Sequence, residues 1–344
     1  MLWVTWRQSR AAATAAGAAL IALAVILAIT RPGMLSLYSA AGLPGCQAAC
    51  AADASKFLSS VKGTSAETIF YAGIVIMYLV PALIGLFWGA PLVAREFESG
   101  TFRLAWSQSV SRRRWAVLKL ALVGCAAMLA AGLTSLMLGW WASPVYHAAA
   151  LASSDSLSIS RLAPPLFGTT GIVPLGYAAF AFALGCAVGT LLRRTVPAMA
   201  VTLVLFATVQ ILVPILVRPH LIPPVQSTQA LASVQYDGMG LSDHGHLLLQ
   251  VSGVSGRAAD WITSTRPVNA LGQTVTIAPV ACQSLTAQFV PCLAGHGVRM
   301  AVSYQPASRY WELQWLETAM YLVLAGSLAG VCCRRIGRPA SATT

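Results

Sequence analysis

The sequence predicts an all-α polytopic membrane protein, with six transmembrane helices, an interfacial helix before the first and a small extracytoplasmic subdomain before the last. Three observations lead there. Hydrophobic residues make up 57% of the 344 and charged residues only 9%. A soluble domain carries about 25% charge, and so little cannot cover a surface in water. Six apolar blocks each approach the ~20 residues that cross a bilayer. The net charge of +12 flanks those blocks instead of forming the basic face of a nucleic-acid binder, so no nucleic-acid partner is expected.

Residues 1–10, MLWVTWRQSR, place Trp3, Trp6 and Arg10 at helical spacing. That suits an amphipathic helix lying in the inner interface, or an ordinary aromatic and basic anchor. The first span follows at Ala11–Thr30. Its core is long and no small-x-small cleavage site comes before Arg31-Pro32, so it reads as a retained helix and not a cleaved signal. The other spans are Ile69–Val93, Ala116–Trp141, Gly171–Leu192, Val196–Val217 and Leu316–Cys333. Six crossings put residues 1–10, the connector 94–115, the Arg193-Arg194-Thr195 turn and the tail 334–344 on one side. That side holds 13 of the 22 Lys and Arg and only two acids, Glu96 and Glu98. A basic excess in short segments faces the cytoplasm, so both termini are expected inside.

On the opposite side, residues 31–68 read as a Gly/Ser/Ala-rich loop and 143–170 as a Ser-rich loop with Pro164-Pro165. Residues 218–315 contain VTIAPVACQ and GVRMAVSYQ, β-like runs between turn residues, and predict a mixed or β-rich subdomain. Cys46, Cys50, Cys282 and Cys292 fall on this side, where disulfides form. Cys46–Cys50 and Cys282–Cys292 are the local pairings, although four cysteines permit three connectivities. Cys125 and Cys186 read as apolar fillers within spans, and Cys332-Cys333 as packing at the inner edge of the last. Asp243-His244-Gly245-His246 lacks the rest of a metal-ligand set and reads as solvated loop, so no metal is expected. Tyr310, Trp311 and Trp315 form an aromatic belt at the outer end of the last span.

The span centres contain no Asp, Glu, Lys, Arg or His; Lys119 and Glu317 lie near span ends, from where they reach headgroups. Ion-coupled carriers and proton pumps normally need ionisable groups at depth, so those classes are set aside. No H-E-x-x-H or Ser/His pair supports an intramembrane protease. None of the three lysines follows the Gly-rich turn of a phosphate-cradling loop, so the chain does not bind ATP in that way and needs no cofactor of its own. The spans offer aromatic and neutral polar groups instead. Tyr78, Tyr177, Phe180 and Gln210 are candidates to line a path for an apolar or amphipathic substrate, with packing against neighbours as the alternative for each. Gly185 and Gly189, at small-xxx-small spacing, allow close helix approach.

Residues 91–115, PLVAREFESGTFRLAWSQSVSRRRW, gather seven of the scarce charges. Leu92 to Phe97 favours helix, Gly100 interrupts it, and Thr101 can cap a second short helix through Gln108. Glu96 and Glu98 are expected to be exposed beside Arg95 and Arg103, a mixture suited to a protein partner. Arg95-Glu96-Phe97-Glu98-Ser99-Gly100-Thr101, then Arg103-Leu104 and Ser109-Val110-Ser111-Arg112, resembles the connector of ABC-2-type transporter permeases. Ala94 stands where many relatives carry an acid. The resemblance extends to the layout of interfacial helix, six spans and a larger outer segment before the last. It implies a cytoplasmic coupling helix at which Arg95, Glu96, Glu98, Gly100, Thr101 and Arg103 meet a separate ATPase subunit that holds ATP and Mg. It further implies a second permease copy or paralogue and a bacterial plasma membrane; nothing suggests docking of a binding protein, so export of a hydrophobic or amphipathic drug, lipid or peptide is expected. A non-transporting sensor or mechanotransmission subunit is the alternative, and a membrane enzyme using the outer segment a more distant one.

Overall fold

The computed structural model describes residues 2–47, 50–99, 112–152, 160–242, 245–254, 259–283 and 288–337. Gly100, Thr101 and Arg103 lie outside the described residues, as do the second short helix, Asp243-His244 and the tail from residue 338. The helices are α1 (Leu2–Ala40), α2 (Ala51–Val61), α3 (Ser65–Leu83), α4 (Ala90–Ser99), α5 (Arg112–Leu151), α6 (Pro164–Phe167), α7 (Val173–Leu192), α8 (Thr195–Leu212), α9 (Arg218–Leu221), α10 (Phe289–Gly295) and α11 (Tyr310–Gly337). Two wide π-helical turns, Ile84–Gly89 and Val213–Val217, join α3 to α4 and α8 to α9. Each lies at a proline, Pro81 or Pro214, where a missing N–H and a bulky ring upset the ordinary helical ladder.

Among the described residues, six helices are long and apolar enough to cross a membrane, and they coincide with the six predicted blocks. The protein is a mostly helical, multi-pass membrane protein. Several helices outrun their predicted ends. With no Gly or Pro between residues 2 and 16, α1 runs unbroken from Leu2, so the expected interfacial helix is continuous with the first span. The presumed loop 31–68 holds the last turns of α1 and all of α2. Ala54, Phe57, Leu58 and Val61 of α2 form a buried stripe at the spacing of one helix face, packed with Leu27, Met34 and Trp141. A Cys46–Cys50 disulfide closes the turn before it.

The bundle is built around α7, which is buried on nearly every side. Its Ala and Gly content permits this, because neighbouring backbones approach where side chains would stand. A Cβ on Gly176 would lie 3.2 Å from Tyr321 Cβ and 3.3 Å from Thr318 Cα of α11. Ser135 of α5 bonds the Gly171 carbonyl just before α7 (3.0 Å).

The predicted subdomain follows α9. Strands β1 (Val225–Ala230), β5 (Arg299–Gln305) and β4 (Trp261–Val268) form an antiparallel sheet in the order β1-β5-β4, with Val225 opposite Tyr304 and Thr265 opposite Val302. β2 (Val234–Leu241) and β3 (Leu247–Val254) form a separate antiparallel hairpin. Leu231, Val254, Leu293, Met300 and Val302 share its core, and a Cys282–Cys292 disulfide ties α10 to the preceding turn. The subdomain's two roots are pinned together. Gln305 donates to the Ile222 carbonyl (2.6 Å), Arg309 to the Pro223 carbonyl (2.8 Å), and Asp260 accepts from the Ala307 amide (2.9 Å).

Candidate functional site

Two regions stand out chemically, one at each end of the bundle. The first is α4, at the end that carries the termini. Its apolar face lies against α7, where Gly189 would meet the Ala90 carbonyl at 2.6 Å if it had a Cβ, and Gly89 would meet the Phe182 carbonyl at 2.6 Å. Past Ala94 the helix turns polar, and its acids find partners on other spans. Glu96 is paired with Lys119 of α5, and Glu98 accepts from the Thr195 hydroxyl at the start of α8. Carboxylates at the C-terminal end of their own helix are poorly placed for its dipole, but Glu98 gains the positive N-terminal end of α8. The Arg193 guanidinium stands 5.6 Å from the Phe97 ring, in the one non-glycine residue with positive φ (53°) among the described residues.

This corrects two expectations. Glu96 is largely buried and bonded within the protein, and Lys119 is buried beside it instead of reaching headgroups. Both lie where α4 crosses α5, a meeting that residues 23 positions apart do not announce. Arg95 and Glu98 are exposed.

The second region is a polar seam between α7, α8–α9 and α11, near the subdomain. Arg218 and Glu317 form an ion pair with both side chains fully buried, Nε to Oε2 at 2.7 Å and Nη2 to Oε1 at 3.0 Å. The Tyr177 hydroxyl donates to Glu317 Oε1 (2.7 Å), and the Arg218 guanidinium lies 4.4 Å from the Phe167 ring. One turn away, Gln314 accepts from the amides of Ile172 (2.9 Å), just before α7, and Val173 (3.0 Å), its first residue, and donates to the Phe167 and Thr170 carbonyls. It thereby satisfies donors that a helix start leaves open. Tyr321 packs edge-on against Tyr177 and Phe180, and its hydroxyl stands 3.5 Å from Gln210 Oε1.

Three of the candidate path residues, Tyr177, Phe180 and Gln210, therefore meet around Tyr321. Tyr78 approaches from the other side and donates to the Pro164 carbonyl (3.1 Å); its hydroxyl and that of Tyr177 both flank Gly168. Neither Arg218 nor Glu317 is among the residues that the sequence marks as a site. The sequence places Glu317 at headgroups, yet the glutamate is wholly buried. The signal was there: one basic and one acidic residue abut consecutive spans at their shared end, hence at one depth. In a low-dielectric interior such a pair is costly to desolvate, and severing it costs about 3–5 kcal/mol. Gln210 Nε2, Arg218 Nη1 and Thr318 Oγ1, all buried, have no hydrogen-bond partner among the described residues, each at a cost of about 1–3 kcal/mol.

Comparison with known proteins bears on both regions. No curated protein and no solved structure matches the chain. Residues 17–218 match the family described as ABC-2 membrane transporter related, a stretch that includes α4 and ends on Arg218. With more than half of its length matched, and with six spanning helices around a small-residue core, the chain belongs to the ABC-2 membrane transporter related family.

Proposed function

We propose that the chain is the membrane-spanning permease subunit of an ABC exporter. A separate nucleotide-binding subunit, holding ATP and Mg, docks on the connector 94–115 from the cytoplasm, and a second permease copy or paralogue completes the channel. The cargo is an apolar or amphipathic compound: drug, lipid or peptide. The observation that carries this reading is the bracing of α4. It is fastened to α5 through Glu96–Lys119, to the start of α8 through Glu98–Thr195, and to α7 through glycine contacts. A push on residues 95–103 is thus delivered to three spans at once, and α8 carries it toward the seam. Arg95 and Glu98 offer the partner exposed charge; Glu96 serves inside the lever.

Copurification tests this. Reversing the exposed charges (R95E with E98R) should abolish recovery of a P-loop ATPase with the chain and lower substrate-stimulated ATP hydrolysis at least tenfold. Full recovery and full stimulation would overturn the reading. One observation favours a second reading, mechanotransmission without cargo: the subdomain's roots are bonded to each other beside α9 and α11, so motion of the spans reaches it directly. ATP-dependent movement of a compound in reconstituted vesicles decides between them.

A further inference from the structure

We infer that the seam between α7, α8 and α11 recognises the polar group of the cargo, and that this group is uncharged and accepts hydrogen bonds: an amide, ester, ketone or ether on a largely apolar molecule. The inference rests on the transport reading and narrows it.

Four buried side-chain atoms among the described residues lack a partner within the protein, and three of them border this seam: Gln210 Nε2, Arg218 Nη1 and Thr318 Oγ1. Two can only donate, and the hydroxyl can donate as well. Whatever completes them must bring acceptors. Charge excludes the stronger acceptors. Arg218 is already balanced by Glu317 through two hydrogen bonds. A carboxylate or phosphate would enter beside the Glu317 oxygens, and an ammonium beside the guanidinium, in surroundings where unpaired charge is expensive. The remaining surface is aromatic: Tyr177, Tyr321, Phe180 and Phe206 form a chain of ring contacts in that order, a lining suited to rings and alkyl chains.

One wall of the seam is fixed and the other is built to move. On the fixed side, α11 sits so close to Gly176 that even a methyl group there would press on Tyr321 and Thr318. On the other, α8 buries only Ala198, Thr202 and Phe206, and the π-helical turn Val213–Val217 separates Gln210 from Arg218. Turns of that kind concentrate at functional sites. Displacing α8 about this turn parts Gln210 from Tyr321 and presents the donors to an incoming acceptor.

The test uses the full chain in lipid nanodiscs with a diazirine-bearing N,N-dimethyldodecanamide, an apolar chain whose head accepts but cannot donate. Cross-links mapped by mass spectrometry should fall on α7, α8 and α11. An excess of unlabelled amide should suppress them, while dodecanoate and dodecyltrimethylammonium should not. Gln210→Leu and Thr318→Val, which leave the ion pair intact, should each weaken labelling about tenfold. Labelling confined to lipid-facing residues, equal competition by the charged analogues, or no change in both variants overturns the inference. The competition on the parent chain needs no variant to fold. Seam labelling without ATP-dependent amide movement in the reconstituted complex would sink the transport reading alone. Movement indifferent to both substitutions would sink the site alone.

Discussion

Removing one member of the Arg218–Glu317 pair leaves the other charged and fully buried. Glu317→Ala should therefore lower stability by about 3–5 kcal/mol, whereas Arg218→Met combined with Glu317→Leu should recover most of that loss; thermal unfolding of the solubilised chain compares them. Recovery marks the pair as a device of specificity or motion, since an apolar substitute holds the helices equally well. Outside the spans, Tyr236 of β2 donates to the Leu231 carbonyl (3.1 Å), and burial pushes its phenol up to about 12. Because the folded value lies above the ordinary one, the contribution is intact below about pH 10 and lost as pH rises through about 12. Tyr236→Phe should remove that alkaline sensitivity, read as the melting of the subdomain against pH. Of these residues the sequence announced few. Tyr177, Phe180 and Gln210 were legible as polar or aromatic groups at depth, but Glu317 was misplaced because its partner lies 99 residues away in sequence.

Whole helices were easier to read than their contacts. Hydropathy alone locates six spans, since lipid imposes one rule on every crossing segment. It says nothing of which helix is central, because four of the other five spans exceed α7 in hydropathy; its small residues decide that. A Cβ on Gly185 would collide with the backbone of Gly85, Gly89 and Ala90, whereas nothing lies within 4 Å of a Cβ on Gly326. Gly185→Val should abolish correct assembly, while Gly326→Val should be tolerated, as measured by size-exclusion profile and yield. Similar profiles for the two would mean that α4 is not seated on α7. Helix α2 escaped the sequence reading for a different reason. Its stripe at 54, 57, 58 and 61 is regular, but Gly45, two cysteines and Gly63 flank it and mark the region as loop. The disulfide partners were the simple local ones, since short separations favoured the pairs that formed.

Taken whole, the molecule places its exposed α4 charges and its polar seam at opposite ends, joined by α7 and α8. The cytoplasmic side that the charge asymmetry predicts can be checked by maleimide labelling of single cysteines. Substituted at Glu98, a cysteine should react only after the membrane is opened; substituted at Leu271, in the subdomain, it should react from outside intact cells. The reverse pattern would turn the permease reading upside down. The family was legible from the connector because its charges break so sharply with their apolar surroundings, but the seam was not, since its members come from three distant segments. The segment leading into α11 grips the stretch leaving α9 by way of Gln305 and Arg309, which makes the β-rich lobe a handle on the helices beneath. If the proposed transport and orientation hold, an antibody fragment clamped across β1 and β5 should stall the helices without ever entering the bilayer.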